Sequence, residues 1–405
     1  MINQTIKKSC NIDNHDLLPQ SKIHINLDAL ANNIKVLKSK CLSGVELMAV
    51  VKANAYGHGA VMVAKTALEN GASFLAVARI HEAVELINAG INAPILLFGD
   101  VLSSQVEWLL LNGVRITIGS LDAAKSLSDA ILRCPYKPSV KVHIKVDTGM
   151  GRLGFVISSS KANFNRVIDE IIYINSMEGV DVEGIYTHFS NSDVKDKSDT
   201  NGQIQKFNDL IDALKKRGVV PKICHASNSA AIIEIPEGHF NMVRAGVAMY
   251  GLFPSDEISR DAIKLEPVMS VTSKIIHLKD VPAGFKVSYG STHVTSTPTK
   301  IATVPIGYAD GYNRLLSSKA EMLVKGTRCK VVGRVCMDYT MIDVGDIKDV
   351  QVGDEVVVMG RQGNQEILAD EIARHINTIN YEVVCSFDRR MPTIFQQAHQ
   401  TDSSL

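Results

Sequence analysis

The stretch VELMAVVKANAYGHGA (residues 45–60) contains the pattern on which the fold prediction rests. Its first seven residues are almost wholly apolar, which is typical of a strand buried on both faces. Lys52 stands at the C-terminal end of this run, and the chain then passes through Gly57 and Gly59 into a helical pattern. The stretch therefore predicts a strand, a turn and a helix, with an amine where the strand ends.

The same alternation of apolar runs and helical segments continues to about residue 261. Alternation of this kind indicates parallel strands covered by helices. Eight units in about 240 residues favour a closed (β/α)8 barrel of the TIM type over an open sheet. The predicted strands are residues 45–51, 72–77, 94–98, 114–118, 140–146, 182–188, 222–226 and 241–250.

The composition changes after Pro254. Residues 265–360 are rich in Val, Thr and Gly, and their short strand-like runs are separated by turn residues, which predicts a mostly antiparallel β-domain. One helix is predicted near the end, over 368–378. The predicted organisation is a leader that is free or packed on the β-domain, a barrel, a β-domain and a tail, over residues 1–21, 22–261, 262–395 and 396–405 respectively.

Charge and cysteine content argue against several classes of protein. The 43 basic and 43 acidic residues cancel, and no basic tract predicts a nucleic-acid partner. No apolar run approaches the ~18 residues of a membrane span, and the N-terminus lacks the apolar core of a secretory signal. The seven scattered cysteines form no CxxC or Cys/His cluster, so we predict no metal site and a cytoplasmic location with reduced thiols.

The predicted strand ends carry the polar residues that suggest chemistry, because active sites of such barrels lie at the C-terminal ends of the strands. These residues are Lys52, Lys145, Asp147, Arg152, His188, His225, Asn228, Ser229, Arg244 and Gly246. Each alone has a structural interpretation: a solvated rim lysine, an ion-paired arginine or a helix-capping serine. Together they combine an imine-forming lysine, an imidazole, several cations and a Ser/Gly pair where barrels bind phosphate. This combination predicts pyridoxal 5′-phosphate as the cofactor.

One motif competes with this interpretation. The segment VDTGMGRLG contains a literal GxGxxG, Gly149, Gly151 and Gly154, which alone would nominate a dinucleotide site. It follows the fifth predicted strand, however, and no helical pattern begins at its second glycine. The sequence favours a loop that points Arg152 inward.

These residues resemble the alanine racemase family, fold type III of the pyridoxal-phosphate enzymes, from about residue 22 to 392. Each segment that carries the resemblance is short, but they stand in register and in family order. They are AVVKANAYGHG, KVDTGMGRLG, YTHF, SNSAA, VRAGVAMYG, VSYGST, PIGYADGY, GRVCMD and INYEVVC.

The resemblance implies a racemase that interconverts L- and D-alanine, works as a homodimer with shared sites and supplies D-alanine as a peptidoglycan precursor. It implies two catalytic bases: Lys52, which also holds the cofactor covalently, and Tyr289 of the partner subunit. The other implied cofactor contacts are Tyr56, Arg152, His188, Asn228, Ser229, Arg244, Gly246, Val247 and Tyr381. The implied substrate site comprises Arg152, Tyr308, Cys336, Met337 and Asp338. Lys145 matches a lysine that the family often carries as a carbamate.

The sequence departs from the family pattern at three places in the predicted β-domain. Tyr339 replaces a common Gln, Asn313 replaces a usual Pro, and RRMPT replaces Arg-x-Pro-Arg. Tyr339 bears on side-chain specificity. A racemase for serine or another amino acid is one alternative function. A pyridoxal-phosphate-dependent amino-acid decarboxylase, which would share the barrel and β-domain, is another. A cofactor-carrier protein is the non-enzymatic alternative, although it would need no β-domain.

Overall fold

The computed structural model describes residues 19–99, 101–134, 139–387 and 390–397. These residues form two compact units. The first unit is Leu27–Val268, and the second contains the residues from Met269 onward together with the segment that ends at Asn26. Most of the predicted leader and of the predicted tail lies outside the described residues.

Strand β1 (Lys22–Asn26) belongs to the second unit, and the strands that follow it build a barrel. The barrel strands are β2 (Glu46–Val50), β3 (Phe74–Val77), β4 (Ile95–Leu97), β5 (Arg115–Ile118), β6 (Val140–Asp147), β8 (Val180–Tyr186), β9 (Ile223–His225) and β10 (Met242–Ala245). A short strand, β7 (Phe155–Val156), pairs only with β6. The eight barrel strands pair in parallel in sequence order, and β10 pairs with β2 to close the ring. The predicted closed barrel is confirmed.

The barrel strands are buried along nearly their whole length. All four residues of β3 are buried, as are seven of the eight residues of β6. Helices on one face and packed side chains on the other remove both faces from water, which explains why these strands read as continuous apolar runs. The predicted and observed strands overlap in every case.

One helix precedes the first barrel strand, and the others follow the barrel strands. They are α1 (Leu27–Lys40), α2 (Ala60–Glu69), α3 (Ile80–Asn88), α4 (Ser103–Leu111), α5 (Leu121–Arg133), α6 (Lys161–Asn175), α7 (Ser198–Lys216) and α8 (Ser229–Glu234). Polar side chains cap several of them: Ser120 accepts a hydrogen bond from the N–H of Ala123 at the start of α5. Among the described residues, no helix combines the length and the apolar character that crossing a membrane requires.

The second unit is mostly antiparallel, as the sequence predicted. Its further strands are β11 (Met269–Lys274), β12 (His277–Val281), β13 (Lys286–Val287), β14 (His293–Val294), β15 (Thr299–Val304), β16 (Glu321–Val324), β17 (Thr327–Lys330), β18 (Thr340–Asp343), β19 (Glu355–Gln362), β20 (Gln365–Ile367) and β21 (Thr393–Gln396). The larger sheet of this unit has the order β17-β16-β19-β11-β1-β21, with β20 paired to β19, and β12-β15-β18 form another. Two helices, α9 (Ala369–Ile376) and α10 (Asn380–Ser386), lie near the end, and α9 falls within the helix predicted over 368–378.

Strand β1 differs from its predicted placement. The sequence analysis assigned its residues to the barrel, whereas the structure pairs β1 with β11 and β21 of the second unit. The physical reason is visible in its side chains. Ile23 and Ile25 are buried, whereas Lys22, His24 and Asn26 are less so, which is the alternation of a strand with one covered face.

Candidate active site

Lys52 stands where the sequence placed it, just beyond the C-terminal end of β2. The four residues that follow it, Ala53–Tyr56, have φ between 51° and 55° and form a left-handed turn. None of the four is glycine, and an L-residue in this conformation costs ~1–2 kcal/mol. Surrounding contacts must therefore hold the turn, and such strain is concentrated at functional sites.

His58 is one of the groups that hold this turn. Its ring is fully buried, and its Nδ1 lies 3.1 Å from the carbonyl oxygen of Ala55 and 2.9 Å from that of Tyr56. Carbonyl oxygens only accept, so Nδ1 carries the proton and donates to both. Burial lowers the pKa of His58 to about 4, and the ring is therefore neutral near neutral pH.

Two further side chains fix the backbone beside Lys52. The N–H of Ala53 donates to Glu82 Oε1 at 2.6 Å, and the N–H of Ala60 donates to Asn54 Oδ1 at 2.8 Å. Glu82 lies at the start of α3, so its carboxylate ties the turn to the next βα unit of the barrel. The apolar pattern of this segment predicted a turn after the strand but gave no signal for these two contacts.

Tyr56, Ser229 and Gly246 converge at one side of the barrel. A Cβ added to Gly246 would lie 3.2 Å from the Tyr56 hydroxyl and 3.6 Å from Ser229 Oγ, so glycine keeps this corner open. Ser229 Oγ accepts hydrogen bonds from the N–H groups of Gly246 (3.0 Å) and Ala248 (3.2 Å). Its own proton is then left to donate, which suits an anionic group. Lys52 is close by, because its Nζ lies 6.0 Å from the centroid of the Tyr56 ring.

Arg244 on β10 is buried and donates to four acceptors. Its Nη2 donates to the carbonyl oxygens of Thr187 (2.9 Å) and Ala226 (2.6 Å) and to His188 Nδ1 (3.0 Å), and its Nη1 donates to His225 Nδ1 (2.9 Å). Burial lowers the pKa of Arg244 to about 10, which still leaves the guanidinium charged at neutral pH. Among the described residues, no carboxylate forms an ion pair with it.

The imidazoles of His188 and His225, which accept hydrogen bonds from Arg244, are both neutral. Burial and the nearby charges of Arg244, Arg152 and Lys145 hold the pKa of His188 well below its usual value. Burial and Arg244 act in the same direction on the pKa of His225. The barrel mouth is therefore a cationic region whose histidines add no charge.

Lys145 on β6 is buried among these cations. Its Nζ donates to the carbonyl oxygen of Val146 at 2.6 Å. Burial and the charge of Arg244 lower the pKa of Lys145 to about 7, against the opposing effect of Asp147. A large fraction of this amine is thus neutral and nucleophilic near neutral pH.

The glycine-rich segment after β6 forms a loop that is held by the Asp147 carboxylate. Asp147 accepts hydrogen bonds from the N–H groups of Gly149 (2.9 Å), Met150 (2.8 Å) and Arg152 (3.2 Å), and the short strand β7 follows where a dinucleotide fold would place a helix. Gly154 is required because an added Cβ would lie 2.6 Å from the carbonyl oxygen of Lys145. The Arg152 side chain is exposed, although its charge acts on His188 and Lys145.

The second unit gathers another set of predicted residues. Ser288 Oγ donates to the carbonyl oxygen of Arg334 (2.7 Å) and lies 3.5 Å from Cys336 Sγ, which ties the Tyr289 turn to the segment around Cys336. The N–H of Tyr308 donates to the carbonyl oxygen of Cys336 at 3.0 Å. Tyr289, Tyr308 and Met337 are exposed on this unit, with 70% of Tyr289 accessible.

The remaining predicted residues lie beside these groups. Asn228 caps α8 and accepts from Ser192 Oγ at 2.9 Å, and Val247 follows Gly246 and is buried. In the second unit, Asp338 accepts from Arg390 Nη1 at 2.8 Å, and Tyr381 is half-buried in α10. The structure thus assembles one set of predicted residues on each unit.

Comparison with known proteins identifies the family. A model of the alanine racemase N-terminal domain matches residues 25–254, and one of the alanine racemase C-terminal domain matches residues 268–395. The chain belongs to the alanine racemase family. This result confirms the resemblance, and with it the pyridoxal 5′-phosphate cofactor and the assignment to the isomerases of the alanine racemase type.

Individual members show how near the relationship is. The alanine racemase of Desulfosudis oleivorans is 47% identical over 373 residues, which cover 92% of this chain and 95% of that protein. The structure of the Clostridium difficile alanine racemase aligns with a TM-score of 0.87 at 38% identity, covering 94% and 96% of the two chains. A histidine racemase from Leuconostoc mesenteroides subsp. sake aligns with a TM-score of 0.84 at 26% identity, covering 94% and 98%.

The barrel mouth fits the cofactor of the alanine racemase family. It offers an amine for the cofactor's aldehyde, hydroxyl donors around an open glycine for its phosphate, and a charged guanidinium that can donate to its ring nitrogen. The cationic surroundings also match the cofactor's net negative charge.

We expect His58→Ala to destabilise the cofactor-free protein by about 3 kcal/mol, because it removes a buried ring and both hydrogen bonds that restrain the left-handed turn. Chemical denaturation measures the effect. His81→Ala is the control, since His81 is exposed on α3 and its removal is expected to be almost neutral. Equal effects of the two substitutions would contradict the role assigned to His58.

Proposed function

We propose that this enzyme interconverts L- and D-alanine, with Lys52 and Tyr289 of the partner subunit as its two bases. The observation that carries the proposal is the position of Lys52 at the end of β2. There its Nζ lies near the Tyr56 ring. Its charge acts on the pKa of His188 together with the charges of Lys145, Arg152 and Arg244.

Each group at the barrel mouth has a role in holding the cofactor. Lys52 would bind its aldehyde carbon, and Arg244 would donate to its ring nitrogen. Because Arg244 stays charged and can only donate, the ring nitrogen would remain unprotonated. Its phosphate would be held by Tyr56, Ser229, Gly246, Val247 and Tyr381, with Asn228 supporting α8. Its ring would face His188 and Arg152.

Racemisation requires a proton to leave one face of the α-carbon and another to arrive on the opposite face. When bound, pyridoxal 5′-phosphate supplies the electron sink that makes this hydrogen acidic. The Lys52 amine would exchange the proton on one face, and the Tyr289 hydroxyl would exchange it on the other. Two opposed groups need not move between the faces, as a single base would have to.

Exposed side chains on the second unit support a homodimer. Tyr289, Tyr308, Met337 and Tyr339 are large and exposed. Backbone hydrogen bonds join the segments of Tyr308, Met337 and Tyr339, and Ser288 Oγ ties the Tyr289 turn to Arg334. A cluster of this kind is typical of a protein–protein interface. In a dimer, Tyr308, Cys336, Met337 and Asp338 of the partner subunit would join Arg152 around the substrate.

Alanine is the substrate that the family relationship favours. Identity to the alanine racemase of D. oleivorans is 47%, against 26% to the histidine racemase. A racemase for serine or another amino acid, and an amino-acid decarboxylase, are the alternatives. We also infer a cytoplasmic enzyme that supplies D-alanine for peptidoglycan, and the free thiols of the six described cysteines fit a reducing compartment.

A mixed-dimer experiment tests the shared site. Lys52→Ala and Tyr289→Ala are each expected to be inactive. When the two variants are co-expressed with different tags, a mixed dimer has one site with both residues intact, and random mixing restores about 25% of the original activity. Isolated mixed dimers without activity would contradict a site shared between subunits.

An amino-acid panel tests the substrate. We expect both enantiomers of alanine to racemise at least about tenfold faster than serine, because a single hydroxyl alters the fit in a small pocket. Histidine and lysine should turn over more slowly still, and no carbon dioxide should be released. Chiral chromatography and a carbon dioxide assay give the readouts. Comparable turnover of histidine would overturn the assignment to alanine, and carbon dioxide release would favour the decarboxylase.

Carbamylation of Lys145 has a defined pH dependence. The neutral amine adds carbon dioxide and releases a proton, and the resulting anion would lie beside Arg244 and near the charge of Arg152. With a pKa of about 7, the amine is mostly neutral above that pH and mostly charged below it. At fixed dissolved ¹³CO₂ we expect a ¹³C carbamate resonance that grows as the pH rises from 6 to 8.

The controls come from the same strand. Lys145→Arg should abolish the resonance, whereas Lys141→Arg should keep it, because the Lys141 side chain is largely exposed on β6 and pairs with Glu183. A resonance that persists in Lys145→Arg, or none at pH 8, would rule out carbamylation at this position.

A further inference from the structure

A chain of hydrogen bonds leads from Arg244 into the barrel interior. His225 Nε2 lies 2.9 Å from His143 Nδ1, and His143 Nε2 lies 3.4 Å from Glu183 Oε2. Both imidazoles are fully buried. We call the series Arg244, His225, His143 and Glu183 the barrel relay. It connects the C-terminal ends of β9 and β10 with the part of the barrel where β5 and β6 begin.

The two ends of the relay determine the position of every proton in it. A guanidinium only donates, so His225 Nδ1 accepts from Arg244 and the His225 proton is on Nε2. This N–H donates to His143 Nδ1, which places the His143 proton on Nε2. An ionised carboxylate only accepts, so His143 Nε2 donates to Glu183. Each bond requires the next one to point in the same direction.

Two cations keep the far end ionised. Arg115 Nε donates to Glu183 Oε2 at 3.1 Å, and Lys141 Nζ donates to Glu183 Oε1 at 2.7 Å. Burial would raise the pKa of Glu183, but the hydrogen bonds from His143, Lys141 and Arg115 lower it to about 2. Glu183 is therefore a fixed acceptor at neutral pH.

The backbone is shaped to admit these side chains. The pairing of β6 with β8 shifts between Val142 and His143, because Val142 is opposite Val182 while His143 is opposite Gly184. Glu183 is the residue left over in this bulge, and bulges redirect side chains in this way. A Cβ at Gly184 would lie 2.6 Å from the His143 ring, so only glycine leaves room for the imidazole.

We propose that Glu183 is a positioning residue of the racemase, which acts through His143 and His225 to fix the orientation of the Arg244 guanidinium. If His143 carried its proton on Nδ1, that N–H would face the N–H of His225. If His225 then moved its proton to Nδ1, it would face the N–H of Arg244. The carboxylate excludes both arrangements. This role rests on the proposed contact of Arg244 with the cofactor ring.

Nitrogen-15 NMR of histidine-labelled, cofactor-free protein tests the relay directly. We expect a pyridine-like Nδ1 and a pyrrole-like Nε2 for both His143 and His225, unchanged from pH 6 to pH 8, with assignments from His143→Gln and His225→Gln. A pyrrole-like Nδ1 on His225, or a charged ring at either position, would overturn the proposal without any variant of Glu183.

Substitutions then test the far end. Glu183→Leu should give mixed tautomers at both histidines of the cofactor-free protein. In the holoenzyme it should lower kcat about tenfold, leave KM for alanine unchanged and shift the cofactor's absorption spectrum. Glu183→Gln keeps an acceptor oxygen and should recover most of the tautomer pattern and the activity. Glu170→Leu is the control, because it removes an arginine-paired carboxylate from α6 with no histidine involved.

The outcomes separate the relay from the proposed function. Wild-type tautomers in Glu183→Leu would refute the relay even if kcat fell. Altered tautomers with an unchanged spectrum and unchanged kcat would refute the role of Glu183 in positioning Arg244. If the relay behaves as expected but Arg244→Lys leaves the cofactor spectrum and turnover unchanged, the assignment of Arg244 to the cofactor ring fails instead.

Discussion

The burial of one guanidinium governs the electrostatics of the barrel mouth. Arg244 is only 3% exposed, and a buried charge is tolerated only when its donors are satisfied. Here two carbonyl oxygens and two imidazoles accept from its Nη1 and Nη2 groups, and all of these acceptors are neutral. The positive field is therefore kept rather than cancelled. Together with burial, which is the larger cause for each group, this field keeps His188 and His225 uncharged, lowers the pKa of Lys145 to about 7, and makes the site suit an anionic cofactor.

The left-handed turn after Lys52 is the second local constraint. Its strain is opposed by Asn54 within the turn, which accepts from Ala60 at the start of α2, by His58 just after the turn, and by Glu82 in α3. Because these hydrogen bonds restrain the turn from several places at once, its strained conformation persists. In this conformation Lys52 and Tyr56 lie close together, with Lys52 Nζ 6.0 Å from the centroid of the Tyr56 ring, so both side chains are available to the same site.

The barrel, and the part of the candidate site at its mouth, could be predicted because apolar strands and amphipathic helices alternate regularly along the sequence of a parallel barrel. Once the apolar runs were placed, their ends had to meet at one rim, and Lys52, His188 and Arg244 stand at such ends. The periodicity says nothing about the bulge at Glu183, the left-handed turn at Ala53–Tyr56, or the choice of β1 between two units. Each depends on contacts between distant parts of the chain. The pairing of Tyr289 with Lys52 depends on a second copy and remains a prediction.

The histidines between Arg244 and Glu183 have an electrostatic consequence. A carboxylate at 4 Å from the guanidinium would attract it by about 4 kcal/mol at an effective dielectric constant of about 20, whereas one separated by two imidazole rings, roughly 10 Å away, contributes less than about 2 kcal/mol. A direct ion pair would orient Arg244 but would also neutralise its positive field at the barrel mouth. Two neutral rings transmit the direction of the hydrogen bonds while most of the charge is retained. In the proposed relay, Glu183 fixes the orientation of the Arg244 guanidinium from a distance, so that Arg244 keeps its positive charge. A direct salt bridge would fix the orientation and cancel the charge at the same time.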